Sequence, residues 1–269
     1  QVQADLYVSP EGDNSNSGLT PEDPLQTIQY AHSIIVSDSL NPHTIYLLNG
    51  VYSPSSNGEV FPVNVTEYVS IEGQSEDSVI LDAQQTAKVI NCSMPGEHVT
   101  ISNLTLTGGA SEKGSGIYAY LVGNSNLTLS QLTITGNHAS IAGGGLFSFA
   151  GVLSLSNVTF SDNVSDGTGG GISTQKTDLI LNNCTVMNNS ANHMGGGLHF
   201  IALNNEEDLN YKQVGIIFGE CLGLQEAFDT TCLGFDYDDC MMYNNYNLCE
   251  WEHNRSNIFS NSVGSRGMG

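Results

Sequence analysis

Positive charge is what this chain has least of. Among 269 residues only 6 are Lys or Arg, against 28 Asp or Glu, for a formal charge of −22. Such a balance excludes nucleic acid and anionic membrane partners, because no basic patch exists to neutralise phosphates. Charged residues make up only 13% of the chain, and there is a single Trp. No run of 18 apolar residues occurs, so no transmembrane helix is encoded. No helical period runs through the middle of the chain either. Gln1 is not a start Met and no signal-peptide pattern follows it, so either a leader was removed or the sequence is a piece of something longer. What remains abundant is Gly, Ser, Thr and Asn, a Lys-poor composition of extracellular type. The 39% hydrophobic content is enough to bury a long core in one body.

A repeat organises that material. The phrases Gly143-Gly144-Gly145-Leu146, Gly169-Gly170-Gly171-Ile172 and Gly195-Gly196-Gly197-Leu198 are spaced by 26 residues, and Gly114-Ser115-Gly116-Ile117 precedes them by 29. Between them Ile134-x-x-Asn137, Phe160-x-x-Asn163 and Val186-x-x-Asn189 keep the same step. A fixed period in this range marks a solenoid, whose units are too small to bury an apolar face alone and must stack. Within one unit, 151–176, short alternating segments carry Leu153 and Leu155, then Val158 and Phe160, then Ile172 and Thr174. Three short strands per coil with Gly and Asn at the corners describe an all-β, right-handed parallel β-helix. Leu104, Leu132, Val158 and Cys184 are expected to stack as one inward rung, with Leu106, Ile134, Phe160 and Val186 beside them. Asn103, Gln131, Asn157 and Asn183 form an amide column at a corner, where a hydrogen-bonded ladder is expected.

The opening of the chain runs Asp5-Leu-Tyr-Val-Ser-Pro-Glu-Gly, a Gly/Asn/Ser loop to Gly18, Pro24-Leu-Gln-Thr-Ile-Gln-Tyr-Ala31, then Thr44-Ile-Tyr-Leu-Leu-Asn-Gly-Val-Tyr52. This order resembles the start of secreted β-helix proteins of the pectate-lyase-like superfamily: a strand, a loop, a short capping helix near 25–37, and the first coils. A cap shields the open strand edge of a β-helix from aggregation. The Gly-Gly-x-(Ile/Leu) and Phe-x-x-Asn phrases resemble the repeats of chlamydial polymorphic membrane proteins. Together the resemblance covers about residues 4–204. It implies the fold and says little about activity, because this fold hosts lyases, hydrolases, adhesins and structural proteins.

Residues 1–204 therefore read as cap plus coils, 205–256 as an acidic Cys-rich insertion, and 257–269 as the start of a further coil. The last segment matches the repeat phrase beginning at Val186 and stops where the next glycines are due, so the chain is expected to end inside a coil. The insertion holds 11 of the 28 acids, the only Trp and four cysteines. Cys221, Cys232, Cys240 and Cys249 suggest two disulfides with three connectivities open. Zinc is the rival reading, although no Cys-x2-Cys pair occurs. Cys92 and Cys184 look like buried thiols.

Nine Asn-x-Ser/Thr sequons point to a glycoprotein. Asn64, Asn91, Asn126, Asn188 and Asn254 are the sites expected to carry glycans. Asn103, Asn157 and Asn183 share the corner column and are less accessible. Asn163 lies inside the repeat phrase.

Catalytic residues are harder to find. Pectate-type lyases, by the resemblance, hold Ca²⁺ with clustered Asp and Glu and take a proton with Lys or Arg, while hydrolases of this fold use carboxylates on neighbouring coils. Residues 99–204 contain just six charged side chains: Glu112, Lys113, Asp162, Asp166, Lys176 and Asp178. Asp162 and Asp166 are the best carboxylate candidates, but no carboxylate aligns with them one coil on. No catalytic residue and no metal site are therefore assigned. His138, His193 and His199 read as surface histidines that form no ligand set. Asp236, Asp238 and Asp239 either form a solvated acidic turn or bind Ca²⁺; otherwise no cofactor is expected.

One surface feature follows from alternation. If Ile117 and Leu146 point inward, Tyr118, Tyr120, Phe147 and Phe149 point outward and form an exposed aromatic patch across two coils. Such a patch marks an interface or a sugar-stacking platform, unless the insertion folds back over it. The first functional expectation is a structural or adhesive extracellular glycoprotein that self-assembles into a fibre or meets another extracellular protein. A polysaccharide lyase or hydrolase and a glycan-binding module are the alternatives.

Overall fold

A computed structural model describes residues 1–93, 99–123 and 125–201, together with the short strands Ile216–Phe218, Asn257–Phe259 and Ser262–Val263. The four insertion cysteines, Asn254 and the acidic turn at 236–239 lie outside the described residues, as do most of 205–256.

The chain winds as an all-β parallel solenoid. One long sheet carries, in spatial order, Leu6–Val8, His43–Leu47, Val69–Gly73, Val99–Thr107, Asn126–Thr135, Val152–Ser161 and Asp178–Asn182, with Ile216–Phe218 beyond them. That last strand falls within the stretch read as an insertion. A second sheet stacks Val63–Asn64, Ile90–Ser93, Ile117–Tyr120, Leu146–Phe149, Ile172–Gln175 and Leu198–Ile201. The third holds Ala110–Lys113, His138–Ala142, Val164–Ser165, Ser190–Ala191 and Ser262–Val263. Every pairing among these strands is parallel, so each coil copies the one below it.

Register follows the aligned columns of the sequence. Leu104 pairs with Leu132 and Leu132 with Val158, while Leu106, Ile134, Phe160 and Val186 form the neighbouring row. All of these side chains, and Cys184, are buried. Each such Leu, Ile or Phe contributes roughly 1.5–3 kcal/mol on leaving water. The seven-residue helix Ile28–Ile34 sits against the first strand and buries Ile28 and Ala31. Thr27 caps it by accepting from the Tyr30 N–H at 3.2 Å, and the buried Glu59 carboxylate accepts from the Ile28 and Gln29 N–H groups at 2.7 and 3.0 Å. These three amides are among the four that a helix N-terminus leaves without partners.

The corner amides do adopt the strained conformation that short polar side chains tolerate: Asn103, Gln131, Asn157 and Asn183 have φ of 60°, 52°, 55° and 52°. The ladder expected there is nevertheless fragmentary, because only Asn183 donates to Asn157 along it. The continuous ladder lies inside instead, in the column Asn137, Asn163 and Asn189, each buried to 1% exposure or less. Asn137 donates its backbone N–H and its Nδ2 to Asn163 Oδ1 at 3.1 and 3.0 Å, and Asn163 does the same to Asn189 Oδ1 at 3.0 Å both times. Each Nδ2 also reaches a carbonyl of the coil below, Leu106, Ile134 or Phe160, at 3.2, 2.8 and 3.0 Å. The glycine triplets make room for this. A Cβ on Gly145 would stand 2.6 Å from the Gly171 carbonyl oxygen and 3.1 Å from Asn163 Nδ2, and one on Gly171 would meet Gly197 and Asn189 in the same way.

Asn163→Ala removes the acceptor for two Asn137 donors and the donor to Ile134, and each buried group left unsatisfied costs about 1–3 kcal/mol. The expected loss is therefore about 3 kcal/mol or more by denaturant unfolding, whereas Asn157→Ala at the exposed corner loses less than about 1 kcal/mol. Equal losses for the two variants would contradict the inner ladder's role.

Candidate functional site

The outer face of the second sheet is the most distinctive surface among the described residues. Alternation sends Ile90, Ile117, Leu146, Ile172 and Leu198 inward, where all are buried. Two columns therefore face outward in register: Asn91, Tyr118, Phe147, Ser173 and His199, then Ser93, Tyr120, Phe149, Gln175 and Ile201. Tyr118 stacks on Phe147 with ring centroids 5.7 Å apart and planes 12° from parallel, and Tyr120 stacks on Phe149 at 5.2 Å and 10°. The parallel ladder fixes both distances, since consecutive coils bring like positions within one strand spacing.

The patch differs from the expected open one in a single ring. Tyr118, Tyr120 and Phe149 are half-buried, but Phe147 is only 2% exposed. Tyr118 stacks on one side of it, and the Lys113 ammonium lies 4.9 Å from its centroid. One coil earlier Lys88 Nζ lies 4.1 Å above the Tyr118 ring. Two of the chain's 6 basic residues thus lie over this one aromatic face. None of the six strands of the sheet contains an Asp or Glu. Partial burial holds the Lys88 ammonium below its usual pKa, and the Glu112 carboxylate nearby opposes that shift. Sequence reading passed over Lys88 because it belongs to no aligned column. The scarcity of lysine was the one signal that marked it.

The remaining candidates do not converge here. The Asp166 carboxylate meets His138 Nε2 at 3.0 Å from the preceding coil, and the Asp166 carbonyl meets His193 Nδ1 at 3.1 Å. These contacts link two histidines read as isolated, on the third sheet rather than the aromatic one. Asp162 occupies an exposed corner at φ 55°, in the same column as Gly136 and Asn188. Asn126 and Asn188 are exposed. Asn64 is exposed and accepts at Oδ1 from Asn91 Nδ2 at 2.9 Å, so those two sequon amides are tied to each other. Asn163 is fully buried in the ladder. Cys92 and Cys184 are buried thiols, and burial raises both of their pKa values. Among the described residues no group of three or more His, Cys, Asp or Glu side chains is placed to hold a metal ion. The calcium chemistry implied by a pectate-lyase resemblance therefore finds no ligand set in them.

The profile of a family described as "Protein of unknown function (DUF1565)" matches residues 10–234. The chain belongs to that family. Over 86 residues this DUF1565 chain is 37% identical to pectate lyase PEL9 of Emericella nidulans, a match covering 31% of the chain and 20% of that protein. The matched stretch is thus about a fifth of the relative's length. Among solved structures, pectin methylesterase PemA from Erwinia chrysanthemi aligns at a TM-score of 0.46 and 15% identity, covering 70% of this chain and 56% of that one. A rhamnogalacturonan lyase aligns at 0.37 and 14%, covering 80% and 65%. At such values the likenesses say nothing about chemistry.

Lys88 is expected to titrate below the free-lysine value of 10.5, and Glu112→Gln is expected to lower it further by removing the opposing carboxylate. Side-chain NMR titration of the lysine Cε resonances reads both. A Lys88 midpoint at or above 10.5 would contradict the burial argument.

Proposed function

We propose that this chain is the β-helical part of an extracellular enzyme that cleaves an acidic polysaccharide by β-elimination, with the aromatic face of the second sheet as the substrate surface. One observation carries the reading: in a chain of charge −22, Lys88 and Lys113 lie over stacked aromatic rings on a sheet free of carboxylates. Aromatic faces pack against the C–H faces of sugar rings, and ammonium groups donate to their carboxylates. A uronic acid polymer offers both. The 37% identity to a pectate lyase over 86 residues favours this alternative over the filament that composition put first.

The division of labour follows from the two lysines. Lys113 pairs with the uronate carboxylate, drawing electrons from the adjacent carbon. Lys88, made less basic by partial burial, has a neutral fraction that takes the proton from that carbon. The electron pair left behind forms the ring double bond as the glycosidic C–O bond on the next carbon breaks. The departing oxygen takes a proton from water, and Lys88 returns its proton to solvent. No oxidant and no nucleophile are consumed.

The test is incubation with polygalacturonate while following the ultraviolet absorbance of the unsaturated product. Activity should rise with pH as Lys88 loses its proton. Lys88→Met should lower kcat by about 10²–10⁴-fold, the usual contribution of a general base. Phe149→Ser should raise KM with a smaller effect on kcat, and Lys176→Met should change neither. Binding without product formation would turn the reading into a glycan-binding module, and an unaltered Lys88→Met rate would overturn the assignment of the base.

A further inference from the structure

A second aromatic cleft lies on the first sheet, near the N-terminal end of the solenoid, away from the surface assigned above. We infer that it binds a single uncharged pyranose ring, by stacking on Tyr7 and Tyr46 and hydrogen bonding to Glu72 and Gln74. The inference stands independently of the lyase reading.

Register builds the cleft. Tyr7 pairs with Tyr46, and Tyr46 with Glu72, so three outward side chains rise in one column on consecutive coils. The two phenol rings stack 5.2 Å apart at 23°. Gly73 lies at the cleft with its backbone packed against the next coil, where a Cβ would stand 2.1 Å from the Asn103 carbonyl oxygen. Pro21 stands as a wall, and the cavity so formed has a volume of about 260 Å³. This falls just below the roughly 300–1,000 Å³ of sites for drug-sized ligands, which suits one sugar ring rather than a chain.

The walls are set before any ligand arrives. The loop bearing Pro21 is pinned by Asp23, whose carboxylate accepts from the Ser17 N–H and hydroxyl at 2.9 and 2.7 Å. Gly18 N–H bonds the Asp23 carbonyl at 3.0 Å, and Tyr7 N–H bonds the Gly18 carbonyl at 2.7 Å. Gln74 is oriented by its Oε1, which accepts from the Asn49 N–H at 2.9 Å and leaves the amide nitrogen as a donor. A preformed wall lowers the ordering cost of binding.

Charge selects the ligand. Glu72 lines the cleft, Asp5 is close enough to act on Tyr46, and no lysine or arginine among the described residues lines it. A uronate would meet like charge, whereas neutral hydroxyls give Glu72 the donors a carboxylate needs. Burial, with Asp5 and Glu72 behind it, raises the Tyr46 pKa and keeps its hydroxyl a donor. The two aromatic faces thus have opposite electrostatic characters.

The experiment is NMR titration of the full chain with the methyl glycosides of glucose, galactose and xylose, and separately with galacturonate and glucosamine. Saturable shifts of the Tyr7 and Tyr46 ring signals and the Gln74 amide are expected with at least one neutral glycoside. Binding should weaken at least tenfold in Tyr46→Ala and in the surface variant Gln74→Ala, and remain unchanged in Tyr120→Ala. Galacturonate should bind at least tenfold more weakly, and Glu72→Gln should narrow that gap. No saturable shift with any neutral glycoside would overturn the inference, as would tighter binding of galacturonate or of glucosamine.

Discussion

The buried asparagine ladder is the constraint on which the regular coils depend. A solenoid interior of stacked Leu, Ile and Phe fixes no register by itself, since a slip along the axis leaves apolar matched with apolar. Asn137, Asn163 and Asn189 remove that freedom, because each carboxamide must meet the backbone N–H and side-chain amide of its neighbour while reaching a carbonyl of the coil below. A buried amide without partners is costly, so any register but the native one is penalised at every coil. The glycine triplets are the other half of the device. Their missing side chains allow the backbone of each coil to approach the next within the ladder's reach.

Once the coil length is locked, surface chemistry becomes a matter of columns. Residues 26 or 29 positions apart stand one strand spacing from each other, so two aromatic positions in one coil become two stacked pairs in two coils. The lysines arrive differently. Lys88 comes from the segment before Ile90–Ser93 and Lys113 from the end of the third-sheet strand Ala110–Lys113, and both reach over rings one coil ahead, which ties the surface of each coil to the edge of its predecessor. In a chain so short of cations, that placement gives the second sheet a character unlike the acidic remainder.

The sequence showed the coil and its columns plainly, because period, alternation and glycine phrases all serve the same packing. Rungs such as Leu104, Leu132 and Val158 pair as their spacing implies. The ladder was expected in the wrong column: Asn157 and Asn163 are both periodic, and only three-dimensional closure decides which amide faces inward. Alternation sets Phe147 in the outward column, yet could not show its burial or its contacts with Lys113 and Tyr118. Lys88 was invisible for a related reason, since its contact with Tyr118 spans 30 residues and follows no repeat. The pairing of Asp166 with His138 was missed because it crosses coils diagonally.

The central claim is that the lysine-flanked aromatic face holds an acidic polysaccharide. A crystal structure of the chain soaked with a short oligogalacturonate tests it most directly. The account predicts sugar rings against Tyr120 and Phe149, with uronate carboxylates within hydrogen-bond reach of Lys88 and Lys113. An oligosaccharide bound on the first or third sheet, with the second sheet bare, would contradict it.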